Sequence, residues 1–202
     1  MSKQRLFYIV FFAVLVVGFY FAMAQIIPGF TNPVIKPIGT LRPFTFYNQN
    51  GEEVTEKDMQ GKVTAVEYFF TTCRGICPRM NNNMRKVYDA YKNEKDFLIL
   101  SHTSDPLTDN PNQLKRYADS MQVDTNKWMF LTGRKDSLYS MARHVYKIDD
   151  PKNNLTTIED DFLHTQFIAL VNKRGDVVKI YDALKESEIK ELKGDIARYL
   201  KQ

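Results

Sequence analysis

The run Val63-Thr64-Ala65-Val66-Glu67-Tyr68-Phe69-Phe70 stops just short of a cysteine pair and a helical stretch. Its β-branched and aromatic content reads as a buried strand over Lys62–Phe70. Strands and helices alternate after it. The spacing of Met80, Met84, Val87, Tyr88 and Tyr91 predicts a helix from Pro78 to about Tyr91. Asp96–Thr103 reads as a strand, and Pro111–Met121 as a helix with Asp109 and Asn110 as cap candidates. Trp128–Leu131 is a short strand stopped by Thr132-Gly133, and Asp136–Val145 a further helix. Asp149–Asp161 is polar and reads as an exposed loop. His164–Val171 and Asp176–Tyr181 are expected strands around Asn172-Lys173-Arg174-Gly175, and Lys185–Leu200 a closing amphipathic helix. Upstream, Pro43–Tyr47 and a segment near Val54 flank Asn50-Gly51, a strong hairpin signal. Strands alternating with helices give an α/β sheet covered on both faces.

Ahead of this pattern, Leu6 to Ile27 holds no charged residue. About 20 apolar residues suffice to cross a bilayer. Lys3 and Arg5 precede the run and no Lys or Arg follows until Lys36, which places the N-terminus inside and the bulk of the chain outside. Ala22-Met23-Ala24 fits a small-x-small cleavage site. The run is longer than the about 7–15 residues of a signal-peptide core, so an uncleaved anchor is expected. The expected organisation is a cytoplasmic tail at 1–5, a transmembrane anchor at 6–27, a linker at 28–42 rich in Pro and Gly, and a domain at 43–202. A short tail without an Arg/Ser-rich transit region points to a bacterial inner (cytoplasmic) membrane, single-pass, with the domain on the extracytoplasmic side. The formal charge of +4 is mild and no Lys/Arg block occurs, which sets nucleic-acid binding aside.

The chain has two cysteines, Cys73 and Cys77, four positions apart. Residues i and i+4 on a helix face the same way, with Cβ atoms about 5–6 Å apart. A helix N-terminus favours thiolate, and Pro78 suits the first turn. Such thiols can close a disulfide or share one soft ion. Disulfide exchangers of this kind usually carry two residues between their cysteines, and here there are three, which makes room for an ion. Thiolates select Cu(I) or Zn(II). Structural zinc wants four protein ligands, and two cysteines with three histidines show no zinc-finger spacing. A Cys₂His site suits Cu(I) better.

A βαβ start with paired cysteines in its first turn and a ββα finish is the thioredoxin-like plan, the hairpin near Asn50 being an N-terminal addition. In such a sheet His164, expected at the start of a strand, lies beside the cysteine loop and is the candidate third ligand. His102 sits at the C-terminal end of a strand and reads as a structural polar residue, His144 as a surface or helix-end residue. Met80 and Met84 are soft donors in principle, but their helical spacing reads as core.

Phe70-Thr71-Thr72-Cys73-x-x-x-Cys77-Pro78 resembles the Cys-x-x-x-Cys-Pro motif of the Sco/SenC copper chaperones. Ser104-Asp105-Pro106, Phe130-Leu131-Thr132-Gly133 and Asp161-Phe162-Leu163-His164-Thr165 extend the similarity, in order, from about Pro43 to Leu200. The resemblance implies a thioredoxin-like fold, copper bound by Cys73, Cys77 and His164, and a role in assembling the copper A site of cytochrome c oxidase, as copper donor, as thiol reductant, or both. The implied partners are the copper-bearing oxidase subunit and another copper chaperone or thioredoxin-like reductant. The bound ion is Cu(I), with Cu(II) also in view. Asp105 matches the family's Asp-Pro turn, and two positions depart from its pattern: Leu107 stands where Glu is common, and Arg74 where a neutral residue is common. The competing expectation is an enzyme, a thiol-disulfide oxidoreductase or peroxidase-like protein in which Cys73 attacks and Cys77 resolves.

Overall fold

The first helix, α1 (Lys3–Ile26), carries no buried residue and is apolar on every side. Its 24 residues are long and apolar enough to cross a membrane. The computed structural model describes residues 2–26, 36–153, 158 and 161–202. The chain divides into two compact units, Met1–Lys36 and Pro37–Gln202. The linker expected at 28–42 lies outside the described residues as far as 35. Two of its last residues, Gly39–Thr40, form a strand, β1.

In the second unit, β2 (Thr45–Asn48) and β3 (Glu53–Thr55) form the expected hairpin, followed by a 3-10 turn at Glu56–Met59. Then come β4 (Val63–Phe69), α2 (Cys77–Tyr91), β5 (Phe97–Thr103), α3 (Pro111–Met121), β6 (Trp128–Thr132) and α4 (Lys135–Ser140). β7 (Phe167–Val171), β8 (Asp176–Asp182) and α5 (Glu186–Leu200) complete the chain. The eight strands make one sheet in the order β1-β8-β7-β4-β5-β6-β2-β3. β4, β5 and β6 are parallel, joined through α2 and α3 as parallel pairing requires. All seven residues of β4 and of β5 are buried, as central strands covered on both faces must be.

Strand alternation divides the core in two. Ala65, Phe69, Ile99 and Phe130 pack under the helices with Met80, Met84, Leu114, Ile189, Leu192 and Ile196. Val66, Tyr68, Leu98 and Leu100 pack on the other face with Phe46, Met59, Leu138, Ala142 and Val145. Met80 and Met84 are therefore core residues, with no exposed surface.

Three local expectations need correction. The helix expected at Asp136–Val145 is α-helical only to Ser140. Met141–Val145 is a π turn, closed by the Tyr146 N–H donating to the Met141 carbonyl at 2.8 Å. The ends of the loop expected to be exposed at Asp149–Asp161 are buried. Arg143 binds Asp149 at 2.7 Å and Asp161 at 2.6 Å, with side chains 3–7% exposed. Burial of these charges is sustained by their mutual pairing. Residues 154–157, 159 and 160 of that loop lie outside the described set. Finally, His164 does not begin a strand, since β7 starts at Phe167.

Candidate metal centre

β4 ends at Phe69, and the chain turns through Phe70-Thr71-Thr72 into Cys73. α2 starts at Cys77 with Pro78 in its first turn, where a missing N–H costs nothing. The turn is anchored on one carboxylate. Asp109, fully buried, accepts the Thr71 N–H at 3.1 Å, the Thr71 hydroxyl and the Thr103 hydroxyl at 2.6 Å. Gln113 Nε2 donates to Thr71 Oγ1 at 3.1 Å. Asp109 was a cap candidate, but Asn110 caps α3, its side chain accepting the Gln113 N–H at 3.0 Å. Sequence reasoning missed the role of Asp109 because Thr71 lies 38 residues away and no local pattern links them. Asp105 shapes the same loop. Its N–H donates to Thr103 Oγ1 at 2.9 Å, and its carbonyl accepts the Asp109 N–H at 2.8 Å.

Both cysteines are free thiols, Cys73 half-buried and Cys77 buried. Burial tends to raise the Cys73 thiol. Hydrogen bonds from the Cys77 side chain and from the backbone N–H groups of Cys77, Gly75 and Ile76 outweigh it and hold Cys73 below its ordinary value. Cys77 is pushed up to about 12, by burial first and then by donating its proton toward Cys73. The helix N-terminus thus has one thiol that gives up its proton more easily than an ordinary thiol and one that holds it more tightly. Arg74 and Gly75 between them are exposed.

His164 is exposed at the cleft beside this pair. Its ring centroid lies 5.6 Å from that of Phe70 and 4.6 Å from that of Phe162. Cys77 and His164 line one small cleft with Phe70, Ile76, Ser104 and Leu163. A larger cavity of about 1000 Å³ adjoins it, bordered by Ile76, His164, Phe167 and Ile180. Among the described residues, no group of three His, Cys, Asp or Glu side chains stands close enough to hold a metal ion. The fold thus joins Cys73 to Cys77 and sets His164 on the same cleft as Cys77, without closing the three donors on one point. Two thiols and a neighbouring imidazole are the donor chemistry that Cu(I) prefers.

The other histidines stand apart. His102 is fully buried on the far face of the sheet, boxed by the rings of Phe44, Phe46, Tyr68 and Tyr146 at 5.0–6.4 Å. Neither of its ring nitrogens has a hydrogen-bond partner among the described residues, and burial pulls it down to about 3, so it is neutral. His144 is exposed on the π turn.

The class is therefore a thioredoxin-like domain with a dithiol at a helix N-terminus, a histidine on the facing loop, and an apolar N-terminal helix that fits a membrane anchor. Residues 36–201 match the SCO1/SenC family model, and the chain belongs to that family. The SCO1 protein homolog of Bacillus subtilis (strain 168) is 31% identical over 160 residues, covering 77% of this chain and 80% of that one. A solved structure of BsSco, described as a member of the Sco family of cytochrome c oxidase assembly proteins with a disulfide switch, has 30% identity and a TM-score of 0.68, covering 82% of this chain and 97% of that one. ScoI of Arabidopsis thaliana, solved with copper bound, has 27% identity and a TM-score of 0.62, covering 82% of this chain and 99% of that one.

Proposed function

We propose that this chain is a membrane-anchored copper metallochaperone that holds Cu(I) on Cys73, Cys77 and His164 and delivers it to the copper A site of cytochrome c oxidase. The observation that carries the reading is the pairing of the free thiols Cys73 and Cys77 at the entry to α2, with the exposed His164 imidazole on the same cleft as Cys77. Relatives of the same fold bind copper and take part in oxidase assembly, which supports it. The exposed His164 ring would have to move toward the thiols to complete such a site. A site this open favours hand-over by ligand exchange, in which a partner's thiolate displaces one donor at a time. The partner is the copper-bearing oxidase subunit, with another copper chaperone or a thioredoxin-like reductant upstream. The anchor would keep the domain on the extracytoplasmic face of the inner membrane.

The test is Cu(I) affinity of the full chain in detergent, by competition with a chromophoric chelator. One equivalent should bind the reduced protein. His164→Ala should weaken binding by more than the about 10–100-fold typical of losing a ligand's supporting contact. Unchanged affinity would remove His164 from the site. A second reading, thiol reductant for the same copper site, is favoured by the unequal thiols: a ready nucleophile at Cys73 and a buried partner at Cys77. It predicts disulfide reduction by metal-free protein that survives His164→Ala.

A further inference from the structure

His164 precedes the start of β7, yet the segment that carries it is tied, through the Leu163 N–H, to the strand that launches the cysteine turn. The Leu163 N–H donates to the Tyr139 hydroxyl at 3.1 Å. That hydroxyl donates to the Ser104 carbonyl at 2.8 Å. The Ser104 N–H in turn donates to the Phe69 carbonyl at 2.7 Å, at the last residue of β4. One phenol oxygen thus connects the Phe162–Leu163 peptide, one residue before the imidazole, to the strand end that leads to the dithiol. Tyr139 is 1% exposed, so water is not at hand to replace its hydroxyl, and losing it leaves a buried N–H without its partner.

The tyrosine is itself held. The Arg143 guanidinium lies 5.4 Å from its ring centroid, in the range of a cation–π contact. The same guanidinium grips Asp161 with two prongs, at 2.6 and 3.0 Å, and Asp149 through Nε at 2.7 Å. Arg143 belongs to the π turn, and single π turns of this kind are frequent at functional sites. Beyond the histidine, the Thr165 hydroxyl donates to the Ile148 carbonyl at 2.7 Å. The Leu163 N–H before His164 and the Thr165 hydroxyl after it are thereby held while the His164 ring stays exposed.

We infer that Tyr139 is a positioning residue that sets the spacing between His164 and the Cys73–Cys77 pair, with Arg143 bracing both Tyr139 and the histidine segment. The inference rests on the copper reading above and names what makes the third donor available. A core tyrosine with no link to the site would affect stability alone. A spacer must affect binding, and only while His164 is present.

The experiment is a double-mutant cycle on the full chain in detergent, using Cu(I) affinity by chelator competition, with Tyr139→Phe, His164→Ala and the double variant. Tyr139→Phe keeps the ring and removes the bridging oxygen. It should weaken Cu(I) binding about tenfold, the scale set by loss of a ligand's supporting contact, and cost nothing further in the His164→Ala background. It should also alter the thiolate-to-Cu(II) absorption band and speed amide exchange at Leu163 in metal-free protein. An equal loss in both backgrounds, or unchanged affinity in Tyr139→Phe while His164→Ala weakens binding, overturns the inference and leaves the copper reading standing. Unchanged affinity in His164→Ala overturns the three-donor copper site, and the inference with it. Should Tyr139→Phe fold poorly, Arg143→Lys keeps the buried charge, loses the two-pronged grip on Asp161, and must show the same dependence on His164.

Discussion

Glu67 shows how a single side chain can be at odds with its surroundings. It sits in β4 with no exposed surface. Its Oε1 accepts the Ser101 hydroxyl at 2.7 Å, and Ser101 Oγ accepts the Trp128 Nε1–H at 2.8 Å. Oε2 has no hydrogen-bond partner among the described residues. Burial pushes the carboxyl from 4.5 up to about 7. Because the folded state holds this proton more tightly than the unfolded chain, the associated stability is complete below about pH 4.5 and lost as pH rises through about 7. Glu67→Gln should therefore gain on the native protein with rising pH, reaching about 3 kcal/mol by pH 8 in urea titrations run at several pH values. A pH-independent difference would place the cost elsewhere. Such a residue is invisible in sequence, where it looks like one polar position in an apolar run. Its chain to Ser101 and Trp128 spans three strands. The cysteine turn at the start of α2 was legible because its pattern is local, whereas the expectation for His164 came from a motif. The anchoring of Thr71 on Asp109 was not, since it depends on two loops meeting only after the sheet has formed.

Among the elements, the helices and central strands were readable because hydrophobic periodicity decides them within one window. The exceptions lie where tertiary contacts outweigh local preference. Nothing in Met141–Val145 announces a π turn, which carries Arg143 into buried ion pairs with Asp149, six residues on, and Asp161, eighteen residues on. The short β1 was hidden for a related reason. Gly39 and Thr40 look like the end of a Pro/Gly-rich spacer, but they pair with Val177 and Asp176 of β8. Gly39 is needed there because a Cβ would stand 2.2 Å from the Val145 carbonyl oxygen. Gly39→Ala should thus cost about 1–3 kcal/mol, the usual price of forcing atoms into filled space, read as a lowered urea midpoint with unchanged slope. An unaltered midpoint would mean that β1 can leave the sheet freely.

At the scale of the whole molecule, the two units fold by different rules. α1 buries nothing within the protein, whereas the second unit has its own two-sided core. A chain beginning at Pro37 should therefore unfold within about 2 °C of the full-length protein, a difference under about 1 kcal/mol, by circular dichroism. It should also leave the membrane fraction on cell breakage. A large drop in its midpoint would show that residues 1–36 contribute to the fold. The eight-stranded sheet has a further consequence. Its outermost members are the two-residue β1 and the three-residue β3. Long bare borders invite neighbouring copies to add strands and grow into fibres. The three-residue β3 offers scarcely any template, so even where many copies crowd together that border is guarded against zipping side to side, whereas on the other border β1 shields only Asp176 and Val177 of β8.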